Sequence, residues 1–195
     1  MLIALVALLT GCTPAPASIK LDGEAAVSVH STDPLPLEKA SVLDASGNAV
    51  EGQVPVWTVT PENVAKLEGE NLVPLANGEA TVTATLGDIK AEYKVTVALP
   101  DKVALTGYNP GDAWTVGETK ALTGQVFSGE TALEKLPVTW ASDNTAVLTV
   151  TEAGEATAAS EGAAKLTVSH GALATTVDVT VTAAAPATAD AAAPQ

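Results

Sequence analysis

Apolar and polar residues alternate in short runs along most of this chain, and the clearest run, Val177-Asp178-Val179-Thr180-Val181, has the period of two that puts one face of a strand in a core and the other in water. Lys165-Leu166-Thr167-Val168 has the same pattern. Almost nowhere do apolar residues recur at the 3.6-residue period of an amphipathic helix. Strands are predicted near Val103–Thr106, Ala121–Phe127, Pro137–Ala141, Ala146–Val150, Glu155–Ala158, Ala163–Val168 and Thr175–Thr182. Turns between such runs fall at Ser46-Gly47-Asn48, Ala76-Asn77-Gly78, Ser128-Gly129-Glu130 and Glu161-Gly162, where residues tolerant of positive φ cluster.

The pattern occurs twice. Gly78-Glu79-Ala80-Thr81-Val82-Thr83-Ala84 corresponds to Gly162-Ala163-Ala164-Lys165-Leu166-Thr167-Val168, and Val95-Thr96-Val97 to Val179-Thr180-Val181, both at an offset of 84 residues. Ile19-Lys20-Leu21 and Val103-Ala104-Leu105 keep that offset, while Trp57 and Trp140 stand 83 apart. The chain therefore divides into two tandem domains, 18–98 and 101–182. Seven short strands in each place it in the all-β class, as two antiparallel β-sandwiches.

The second repeat contains Val116-Gly117-Glu118-Thr119 before a strand, then Val138-Thr139-Trp140-Ala141-Ser142-Asp143-Asn144, Gly154-Glu155-Ala156-Thr157-Ala158 and the strand that opens at Gly162. In these motifs it resembles the bacterial immunoglobulin-like domains of group 2. The first repeat retains Trp57, Val64-Ala65-Lys66-Leu67 and the Gly78 strand, but has Asp33-Pro34-Leu35-Pro36 in place of the Gly-Glu-Thr entry. The resemblance implies Ig-like sandwiches of the kind found in intimin- and invasin-like adhesins and in phage tail decorations. It implies no chemistry, because this fold serves as spacer, adhesive tip and assembly module alike.

The two ends have a different character. Leu2 to Leu9 form an apolar run too short to cross a bilayer, and the Leu9-Thr10-Gly11-Cys12 that follows resembles the lipobox of bacterial lipoproteins. The expectation is a signal peptide over 1–11, acylation of Cys12, a Pro/Ala tether over 12–17, and a location in the cell envelope, anchored to a bacterial membrane and facing the periplasm or the exterior. No Lys or Arg precedes the apolar run. At the other end 183–195 is Ala-rich and low in complexity, the composition of a disordered tail.

Composition then narrows the function. Of the 195 residues 9 are Lys or Arg and 23 are Asp or Glu, for a net charge of −14, and every one of the cations is lysine. Without arginine the planar fork that grips phosphate and guanine is missing, and the negative surface repels polyanions, so nucleic acid is no partner. His30 and His170 occupy non-equivalent places in the repeat, and neither has a second ligand at metal spacing. Asp101, Asp112 and Glu118 lie near the domain junction but lack the spacing of a calcium loop. No nucleophile elbow or phosphate loop occurs. The reading is non-enzymatic, with no metal or cofactor.

The aromatics supply the candidate contacts. Trp57 and Trp140 recur in the repeat on a central strand and are read as core. Trp114 does not recur; at the 84-residue offset its counterpart is His30. Together with Tyr108 and the turn Asn109-Pro110-Gly111-Asp112 it is a candidate contact for a protein or glycan partner. The other reading open for this pair is structural, with Trp114 closing one end of the second core and Tyr108 covering the joint.

Overall fold

The computed structural model describes residues 14–109 and 111–183; the signal segment, Cys12 and the chain from 184 onward lie outside the described residues. Every regular element among the described residues is a strand. Contacts divide the chain between Leu99 and Pro100 into two units.

The first unit contains β1 (Ser18–Leu21), β2 (Ala26–Val29), β3 (Leu35–Pro36), β4 (Ala40–Leu43), β5 (Val56–Thr60), β6 (Ala65–Glu68), β7 (Asn71–Pro74), β8 (Gly78–Leu86) and β9 (Ile89–Val97). One layer is the four-stranded sheet β2-β9-β8-β5, in which β2 runs parallel to β9 and the other pairs are antiparallel. The facing layer is β3-β7-β6, extended by β4, which continues from β3 and pairs with β1. This is the two-sheet strand order of an immunoglobulin-like sandwich, with one early strand shared between the two edges.

The second unit repeats it with β10 (Lys102–Thr106), β11 (Ala113–Thr115), β12 (Thr119–Ala121), β13 (Thr123–Ser128), β14 (Thr131–Leu133), β15 (Thr139–Ser142), β16 (Leu148–Val150), β17 (Glu155–Ala158), β18 (Gly162–His170) and β19 (Leu173–Thr182). Its four-stranded sheet is β11-β19-β18-β15, and β12-β17-β16 with β10-β13-β14 make the other layer. Strand β14 is the addition; in the first unit its place is held by a single bridge between Leu43 and Ala49.

The long hairpins β8–β9 and β18–β19 are the centre of each unit. Each turns on two residues led by a glycine at φ 57°, Gly87 or Gly171, where a side chain would be strained. Alternation then sends Ala80, Val82, Ala84, Val95 and Val97 inward in the first unit and Ala164, Leu166, Val168, Val179 and Val181 inward in the second. Leu72 and Ala65 from the opposite sheet complete the first core, and Leu148, Ala156 and Ala158 the second.

The hydrophobic pattern predicts seven strands in the second unit and misses the three-residue β11 and β14; of these, β11 changes the reading of Trp114. Trp114 pairs with Val181 as Val29 pairs with Val97, so its structural counterpart is Val29 rather than His30. The offset is 85 across this stretch because the second unit has one more residue between its first two strands. It returns to 84 because the first unit has one more between Leu37 and Ala40, a shift invisible from either side. Val29 is a core residue, and Trp114 is completely buried.

Packing in the two cores is complementary. In the second unit the Trp114 indole is accompanied by the small Ala156 and by Val177; in the first, Val29 is accompanied by the larger Leu72 and Tyr93 at the same registers. The exchange leaves a cavity of about 110 Å³ in the first unit, lined by Val27, Val29, Leu35, Leu72, Tyr93 and Val95 with Glu38 at its wall. Trp114→Ala should therefore destabilise the second domain by ~3–5 kcal/mol. Calorimetry should show one transition moved down and the first domain's transition unchanged.

Candidate functional site

Trp114 is no surface contact. Its side chain lies in the second core, its Nε1 has no hydrogen-bond partner, and the Lys120 ammonium covers the ring at 4.7 Å from the centroid. Lys120 is itself held by Glu118 at 3.3 Å. The candidate pair is thus separated: Tyr108 is half-buried at the edge of the same core, and its hydroxyl donates to the Asp178 carbonyl. Tyr108 lines a shallow hollow of about 370 Å³ with Lys102, Leu105, Thr175 and Val177. Thr175 donates across that hollow to the Val103 carbonyl, so its polar groups already serve to tie β10 to β19.

The polar candidates near the junction are occupied in their own turns. Asp101 accepts the Gly129 N–H at 2.7 Å, Asp112 accepts from the Asn109 amide at 3.3 Å, and Glu118 accepts the Thr115 N–H at 3.0 Å. His30 and His170 bond to the carbonyls of Ala98 and Pro137. Among the described residues no group of three or more His, Cys, Asp or Glu is placed to hold a metal ion.

The two recurrent tryptophans share a register, Trp57 opposite Ala84 and Trp140 opposite Val168, but not an environment. Both are half-buried against their cores. Trp140 is seated on glycine. A Cβ at Gly154 would lie 2.4 Å from the Leu122 carbonyl and 3.1 Å from Trp140 Cζ2, and one at Gly124 would lie 2.6 Å from Val168 and 3.4 Å from the same ring atom. The corresponding positions in the first unit have side chains. Ala40 pairs with Leu21 as Gly124 pairs with Leu105, and the Glu70 carbonyl accepts the Leu37 N–H at 2.9 Å as the Gly154 carbonyl accepts that of Leu122.

Trp57 instead leans edge-on to Tyr93, with ring centroids 6.4 Å apart at 77°. Burial raises the Tyr93 hydroxyl above its ordinary pKa, and the Glu38 charge adds to the effect. Open grooves flank Trp57. One, of about 660 Å³, is bounded by Glu38, Lys39, Val54, Glu70 and Asn71; the other, of about 430 Å³, by Thr58, Glu62 and Lys66. Val54, which lines the larger groove with the ring, is 80% exposed. Recurrence points to the core for both tryptophans; the residues that distinguish them are distant in sequence, Gly124 and Gly154 against Trp140, and Glu38, Lys39 and Glu70 around the groove beside Trp57.

No family model matches the chain, and no curated protein matches it. Solved structures do. The S-layer protein rSbsC is 18% identical, with 88% of this chain and 29% of that one covered and a TM-score of 0.45. Domains 4 and 5 of S-layer protein SbsC are 17% identical over 84% of this chain and 96% of that one, at 0.42. The N-terminal four Ig domains of Dscam1 are 12% identical over 87% and 47%, at 0.35. The chain spans less than a third of the first of these.

Glu118 supplies a test of the second domain's entry turn. The Thr115 N–H, and after it Lys120, hold its carboxyl below the usual carboxylate range. A depressed folded pKa gives stability that is present above the unfolded value and lost as pH falls through the folded one. Melting of the second domain should therefore fall on acidification through the carboxylate range, and Glu118→Gln should flatten that fall relative to wild type in pH-resolved melts.

Proposed function

We propose that this chain is a lipid-anchored protein of the bacterial cell envelope, without catalytic activity, whose two Ig-like domains of the group 2 type act as a spacer carrying a binding face. The observation that carries the reading is the order of parts: an apolar run, a lipobox-like Leu9-Thr10-Gly11-Cys12, a short Pro/Ala segment, and a first strand that begins at Ser18. Two or three acyl chains on one cysteine make a stable anchor where a single chain does not. The cores behind this arrangement are apolar and the polar side chains of Asp101, Asp112 and Glu118 are bonded within their turns, which suits a structural module better than an active site.

Assembly through strand edges is the competing reading. The outer edge of β5 would be the apolar place for it, yet Pro55 and Pro61 stand at its two ends, and proline withholds the donor that a neighbouring strand needs. That favours a module that recognises a partner with side chains.

Expressed in a bacterial host, the wild-type protein should partition into the detergent phase and incorporate labelled palmitate, and Cys12→Ala should do neither while keeping its melting profile. Equal partitioning of both forms into the aqueous phase would remove the anchor from this account.

A further inference from the structure

We infer that the groove beside Trp57 is a saccharide-binding site, and that its ligand is a neutral, β-linked hexose or N-acetylhexosamine chain. The inference goes beyond the spacer reading and does not depend on the lipid anchor.

The second domain serves as an internal control, because the groove is assembled where the first domain departs from it. The extra residue between Leu37 and Ala40 lengthens the step from β3, paired with β7, to β4, paired with β1, and Glu38 and Lys39 of that step line the groove wall. The turn between β6 and β7 is shortened to Gly69-Glu70, which brings Glu70 and Asn71 to the opposite wall; the equivalent turn in the second domain is longer and ends on Gly154, against the tryptophan. Val54, on the approach to β5, is the most exposed large apolar side chain of the described residues. Three independent departures thus converge on one half-buried indole.

The chemistry of the wall selects the ligand class. Carboxylates accept, the Asn71 amide both donates and accepts, and the Lys39 ammonium donates, a set matched to hydroxyls, which do both. One Glu38 oxygen is buried without a hydrogen-bond partner, and its carboxylate packs against Gly23, where a Cβ would lie 1.8 Å from it; the acceptors open to the groove are therefore those of the exposed Glu70 and Asn71. An equatorially substituted pyranose adds a flat C–H face that packs on an aromatic or on Val54. A volume of about 660 Å³ lies within the range of ligand sites. Uronates and sulfated chains are repelled by Glu38, Glu70 and the net charge of −14. A peptide added as a strand is disfavoured by the prolines that bracket β5.

The test is titration of the full-length chain with chitotriose and with cellotriose, read by tryptophan fluorescence and by calorimetry, with a lysine-rich peptide as a third probe. At least one trisaccharide should bind saturably with a Kd of about 1 mM or tighter. Asn71→Ala and Glu70→Ala, both exposed on the turn, should weaken that binding about tenfold or more at unchanged melting temperature. Trp140→Phe should leave the affinity as it is. Absence of saturable binding by either trisaccharide, equal affinity in the two turn variants, or saturable binding of the peptide alone would each overturn the proposal.

Discussion

Each domain depends on one strand pairing: a short early strand that crosses to the edge of the four-stranded sheet and runs parallel to the last strand. Antiparallel hairpins alone would leave the inward side chains of β9 and β19 facing an open edge. The parallel strand covers them, and the residue at its centre, Val29 opposite Val97 or Trp114 opposite Val181, decides how the rest of the core is filled. Where that residue is the large indole, Ala156 and Val177 suffice around it. Where it is valine, Leu72 and Tyr93 lean in from the neighbouring strands.

That choice reaches the surface. Tyr93 fills the first core from β9, and Trp57 leans edge-on against it. In the second domain no tyrosine stands at this register, and glycines at 124 and 154 let Trp140 lie against backbone. Interiors are packed too densely for a ring to occupy both places. The same duplicated scaffold therefore offers a closed face in one copy and a groove in the other, and the difference between them is built from steric facts at a handful of positions.

Much of this architecture was legible in the sequence, for reasons that can be given. The alternation in 162–168 and 177–181 reports strands buried on one face, and the recurrence of whole strands at 84 residues reports two domains. Strand β11 was not legible, because three residues are too few to show a period and its partner is parallel and distant in sequence. The offset hid the rest. A residue gained before Trp114 is cancelled by one gained in the other copy before Ala40, so the aligned flanks give no sign that the middle has shifted. At that offset Trp114 falls opposite the part-buried His30, next to its true counterpart, so the sequence left a contact role and a structural one both open for it. The groove beside Trp57 was missed for the converse reason: recurrence spoke for the core, while the loss of two glycines spoke against it.

The most direct measurement is the accessibility of each indole in the native protein. Three variants that each retain one tryptophan, with phenylalanine at the other two sites, would be followed by emission maximum and acrylamide quenching. Trp114 should emit furthest to the blue and resist quenching, Trp57 should be the most readily quenched, and Trp140 should fall between them. Quenching of Trp114 as efficient as that of a free indole would contradict the parallel pairing of β11 with β19, and with it the account of why the two domains differ.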